Sequence, residues 1–96
     1  MASWLIERRL SQTATRLKSL RAELAQTDEQ IDVFVSDAED TELRALMSET
    51  PGAAFEANDA RKHADAMTKH RQHVVDSIRD HEAKQDELLD KLTARR

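Results

Sequence analysis

Apolar residues recur along the first half of the chain at alternating steps of three and four. Leu10, Leu17, Leu24 and Ile31 fall seven apart, and Ile6, Thr13, Leu20, Thr27 and Phe34 form the companion row. Two seam positions per heptad is the pattern of a coiled-coil helix rather than the broader face of a globular one. Ile31, Val33 and Val35 also alternate as in a strand, but no second strand is available to pair with them.

The second half repeats the pattern. Ala57, Ala64, Arg71, Ile78, Gln85 and Leu92 make one row, and Ala60, Met67, Val74, His81 and Leu88 the other. Between the halves lies Ser48-Glu49-Thr50-Pro51-Gly52. Thr50 suits an N-cap and Pro51 a first helical residue, since its missing N–H would have no intrahelical partner there.

An antiparallel fold-back at this point pairs residues whose numbers total about 98. Ile6 then meets Leu92, Leu10 meets Leu88, Leu20 meets Ile78, Leu24 meets Val74 and Ile31 meets Met67. The polar intruders coincide as well, with Thr13 opposite Gln85 and Thr27 opposite Arg71. Unrelated helices would have no reason to share this register. The expectation is an all-α, long antiparallel coiled-coil hairpin filling residues 1–96, with arm one near 3–48, a turn near 49–52 and arm two near 51–94. Ser36-Asp37-Ala38-Glu39 reads as a capping box. A restart there would divide arm one into a helix near 3–35 and a short third helix near 37–48. The alternative is a straight helix with Ser36 toward water.

Composition narrows the function classes. The chain has no Cys and one Gly. That removes thiolate metal sites, cysteine nucleophiles and Gly-rich phosphate loops. No apolar run approaches the roughly 20 residues of a membrane span. Residues 1–21 carry five Lys and Arg against Glu7, a composition also found in mitochondrial transit peptides. Because the repeat continues past residue 30, the reading is the start of an amphipathic helix and a cytoplasmic protein. A net charge of −4 without a basic stripe argues against stable nucleic-acid binding. With no concavity to gather reactive groups, an enzyme is not expected, nor is a cofactor or a small-molecule substrate.

Two helices meeting along one seam form a thin core, and chains of this size usually need a metal, disulfides or a partner. The expected solution is association, as a homodimer forming a four-helix bundle or by docking on a larger protein. The apolar residues left off the seam mark the contact surfaces: Trp4, Leu5 and Leu89 at one end, and Leu43, Met47 and Phe55 near the turn. Residues 36–59 hold seven acids, among them Asp37, Glu39 and Asp40, against Arg44 alone. This acidic tip would orient a basic partner. Arg71, His81 and Gln85, polar residues at seam positions, are candidates for setting register or oligomeric state. Arg71 is expected near Asp28 or Asp32, and His81 to bond within the layer of Gln85. An alternative function is a metal- or pH-responsive switch built on the histidines at 63, 70, 73 and 81.

The outline resembles two families. Small helical-hairpin substrates of type VII secretion have this length and fold back mid-chain, which would imply a secreted effector. Their Trp-x-Gly turn is replaced here by Thr50-Pro51-Gly52, and the Tyr of their export motif is missing. The acidic tip also resembles the finger of Gre-type transcript-cleavage factors over the central third. Those factors add a globular domain and carry their acids in the turn, whereas Asp37, Glu39 and Asp40 are set back along one arm.

The seam makes a direct prediction. Leu24→Asp places an unpaired carboxylate in the apolar row and should abolish the cooperative thermal transition seen by circular dichroism at 222 nm.

Overall fold

A computed structural model describes residues 2–94. These residues form two α-helices, α1 (Ser3–Ser48) and α2 (Pro51–Ala94), packed as an antiparallel hairpin, with no strand among the described residues. Among the described residues no helix is long and apolar enough to cross a membrane.

The chain divides into two compact units. The terminal unit comprises Met1–Leu24 and His73–Arg96, and the turn unit is Ala25–Gln72. In the terminal unit the rows on α1 are Ile6, Leu10, Thr13, Leu17, Leu20 and Leu24, all buried or half-buried. Those on α2 are Val74, Ile78, His81, Gln85, Leu88 and Leu92, equally withdrawn from solvent. Ile6, Leu17, Leu20 and Leu88 are the fully buried large side chains. In the turn unit the corresponding rows are Thr27, Ile31, Phe34, Ala38, Thr41 and Ala45 on α1, and Ala53, Ala57, Ala60, Ala64, Met67 and Arg71 on α2.

Ion pairs report the register independently of the apolar rows. Arg21 meets Glu82 at 3.4 Å in the terminal unit, and Arg61 meets Glu42 at 2.5 Å in the turn unit. Each pair joins residues whose numbers total 103. That is the value for the positions flanking a seam paired at 98, because the flanking residue lies four beyond the seam residue on one helix and one beyond it on the other. The Phe34 and His63 rings, 6.3 Å apart, agree with the same pairing.

Polar seam positions are satisfied locally. The Thr13 hydroxyl donates to the Arg9 carbonyl at 2.8 Å. The Thr41 hydroxyl lies within reach of the Asp37 and Ala38 carbonyls, at 2.9 and 3.0 Å. Among the described residues no buried side-chain nitrogen or oxygen lacks a partner.

The restart near Ser36 does not occur. α1 is continuous, Ser36 is exposed and no short third helix forms. The seam explains this. Ala38 and Thr41 extend the heptad rows beyond Phe34 and are buried, so the helix is held by packing where its local sequence offers a cap.

The turn consists of Glu49 and Thr50, between arms that end at Ser48 and begin at Pro51. Glu49 has φ 52°, the left-handed conformation that usually calls for glycine at a helix C-terminus. Its N–H donates to the Ala45 carbonyl at 3.1 Å. Thr50 then caps α2, its hydroxyl accepting from the Ala53 N–H at 3.2 Å and its carbonyl from the Ala54 N–H at 3.2 Å. Gly52, the chain's single glycine, lies inside the first turn of α2 with an ordinary φ and open space where a Cβ would stand. The glycine is therefore not the residue that makes the turn.

Two substitutions should stabilise the protein. Glu49→Gly relieves the left-handed conformation and is worth about 1 kcal/mol, or roughly 4–8 °C in Tm. Glu49→Ala, which keeps that conformation, should gain little. Gly52→Ala should add about 0.5 kcal/mol by restricting the unfolded chain. Thermal melts of the three variants measure both effects.

Candidate interaction surface

The turn unit is filled in an unusual way. Its fully buried apolar residues are Ala38, Ala57 and Ala64, while Val33, Leu43, Leu46, Met47 and Phe55 face solvent. The exposures of Leu46, Met47 and Phe55 are 77%, 78% and 73%. Burying a large apolar side chain is worth about 1.5–3 kcal/mol, so this unit leaves most of its apolar potential unused. The cause lies in the sequence: most of its seam positions carry alanine or threonine, with Ile31, Phe34 and Met67 the half-buried large apolar residues, while Leu43, Leu46, Met47 and Phe55 fall on outward positions of the same helices. Scattered exposed leucines are ordinary, whereas five large apolar residues exposed in the one unit Ala25–Gln72 are a concentration that a packed core does not account for.

A shallow groove opens between the two helices of this unit, lined by Glu42, Ala45, Leu46, Ala54, Ala57 and Asn58. Ala45 and Ala57 are seam residues, and their short side chains leave the depth a leucine would fill. Arg61 is bonded to the Glu42 of this lining. Its Nε and Nη2 donate to the two oxygens of Glu42 at 3.2 and 2.5 Å. That hydrogen bond holds the Glu42 carboxyl below the usual carboxylate range and raises the Arg61 guanidinium further. The charges of Asp65 and Glu39 act on Arg61 as well. A second groove, lined by Phe55, Asn58, Asp59, Arg61 and Lys62, shares Asn58 and Arg61 with this region. Asp37, Glu39 and Asp40, the acids expected at the tip, are all exposed. Across the turn unit five Lys and Arg face eleven Asp and Glu, a net of −6.

In the terminal unit Trp4 and Leu89 are exposed, at 63% and 46%, while Leu5 is half-buried. Glu87 accepts from Lys91 at 3.2 Å with Lys84 nearby at 3.8 Å, and its carboxyl is held low chiefly by the Lys91 bond.

The polar seam residues have defined neighbours. Arg71 Nε donates to Asp28 Oδ1 at 2.5 Å, with both side chains about half exposed, so the charge reaches the seam's edge rather than its interior. His81 does not bond in the layer of Gln85. Its Nδ1 donates to the Ser77 carbonyl of its own helix at 2.7 Å. A carbonyl can only accept, so this nitrogen carries a proton, and the ring is held by the preceding helical turn instead of across the seam. Gln85 is half-buried. His63 stands 3.5 Å from Asp59, and among the described residues no three His, Asp or Glu side chains converge on a point where a metal ion could bind.

Sequence reasoning gathered Leu43, Leu46, Met47 and Phe55 around the turn and named Leu43, Met47 and Phe55 as anchors; all four are exposed, and Leu46 lines the groove. It overlooked Glu42–Arg61. Pairs within a helix are visible as a spacing of four, whereas a cross-helix pair appears only once the register is applied to the flanking positions.

No protein-family model matches the chain, and neither the curated proteins nor the solved structures provide a match.

The depressed Glu42 carboxyl sets the sign of a pH effect. Its pairing stabilises the fold above the ordinary carboxylate value of 4.5, and the contribution is lost as pH falls through the lower folded-state value. Wild type should therefore melt above Glu42→Gln at pH 7, and the gap should close as pH falls below 4.5. Paired thermal melts across that range measure it.

Proposed function

We propose that the chain is a non-catalytic, cytoplasmic protein–protein interaction module, an adaptor or regulatory subunit that works through its helical surfaces and acidic turn unit. The observation that carries the reading is the inversion in that unit, with alanines inside and Leu43, Leu46, Met47 and Phe55 outside. A surface of this kind gains most when another protein covers it, because large apolar side chains supply binding energy once water is excluded. The surrounding carboxylates would speed encounter and discriminate among partners. The shallow grooves favour a macromolecular contact over an enclosed small-molecule site.

Self-association is a second reading, favoured by the exposed Trp4 and Leu89 of the terminal unit. Two copies joined there would form a four-helix bundle and enlarge a thin core.

The test is affinity purification of the tagged chain from its native cell at moderate salt, followed by native mass spectrometry. The docking reading expects a stoichiometric second protein with wild type. The Leu46→Ser/Phe55→Ser double variant should lose it while keeping its helical circular dichroism. Retention of the same partner by that variant would remove the turn unit from the contact. A bare monomer would reject both readings, and a dimer broken by Trp4→Ser would establish the second.

A further inference from the structure

We infer, resting on the docking reading above, that the groove of the turn unit receives a basic amphipathic segment of another protein, which seats an apolar side chain between the helices and sets lysine or arginine against the acidic surface of the unit. Shape and charge each limit the occupant. The groove has an alanine floor, Ala45, Ala54 and Ala57, with Leu46 beside it. Only an apolar group fits against such a surface without losing hydrogen bonds to water. Its length along two helices suits a helix or extended chain bearing apolar residues at regular spacing.

The unit as a whole supplies the charge requirement. Arg61 is bonded to Glu42 of the groove lining, and the charges of Glu39 and Asp65 act on it as well. The whole unit nets −6. A neutral apolar segment would leave that field unanswered, and an acidic one would meet like charge at close range. A second copy presenting the same unit would bring −6 against −6, and an anionic membrane is repelled for the same reason. A segment with basic flanks is attracted at long range by the excess carboxylates of the unit, the exposed Glu39 and Asp65 among them.

The experiment uses the full chain and three fluorescein-labelled peptides with the same leucines at helical spacing. Their flanking positions are all Lys, all Gln or all Glu. Anisotropy titrations at low salt should give binding of the Lys peptide at least about tenfold tighter than the Gln peptide, with the Glu peptide weakest, and the advantage should shrink at high salt. Leu46→Ser/Phe55→Ser should weaken the Lys peptide about tenfold or more with helicity unchanged. Glu39→Gln/Asp65→Asn should flatten the salt dependence and spare the Gln peptide.

Several results would overturn the inference. Equal affinity for the Lys and Gln peptides would discard the basic occupant while leaving the docking reading intact. Undiminished Lys-peptide binding by Leu46→Ser/Phe55→Ser would reduce the contact to bulk charge. If no peptide binds, the segment class is wrong. A dimer in sedimentation that the same double variant breaks would make a second copy the occupant. The docking reading fails separately, when the native partner is captured equally by wild type and the double variant.

Discussion

Two helices that touch along a single line can each bury two residues in seven. Everything else about this protein depends on how those positions are filled. In the terminal unit Ile6, Leu17, Leu20 and Leu88 fill them with large side chains that reach complete burial. In the turn unit alanine and threonine occupy most of the same positions. The geometry is alike in both units, and the difference is one of side-chain volume. A seam of small residues keeps the helices close and aligned while contributing little apolar burial.

That economy at the seam is what frees the large residues of the turn unit to lie outside. Leu46 beside the alanine-floored groove, with Glu42 and Arg61 locked together at its side, combines apolar surface with fixed charge. The combination matters more than either part. Apolar area alone would invite indiscriminate association, and acidic surface alone would bind weakly and be screened by salt. On the docking reading, together they would favour a partner with both properties.

Most of the architecture was legible in the sequence because a seven-residue period carries both secondary structure and register. The match of Leu10 with Leu88 and of Thr27 with Arg71 left little freedom for the fold-back point. Ser36-Asp37-Ala38-Glu39 misled for a physical reason. A capping box states what a helix end would look like, and it has no force where Ala38 and Thr41 continue the packed rows. At the turn the readings of Thr50 as a cap and Pro51 as a first helical residue hold, while the left-handed conformation of Glu49 has no sequence signal, since glycine is the usual residue there. His81 was assigned a partner across the seam, but an imidazole four residues after a carbonyl can reach it along its own helix, as it does with Ser77. The candidate surface was partly visible as apolar residues off the seam. Its groove was not, because depth comes from the shortness of Ala45 and Ala57 once both helices are in place.

The hydroxyls of Thr13 and Thr41 at the seam bond backward onto the carbonyls of their own helix. They therefore hold nothing across the seam. In the turn unit the polar links between the helices include the Glu42–Arg61 and Asp28–Arg71 pairs, both partly exposed. Salt screens such pairs, so raising it loosens the pairing of the two helices without touching the hydrogen bonds inside either one.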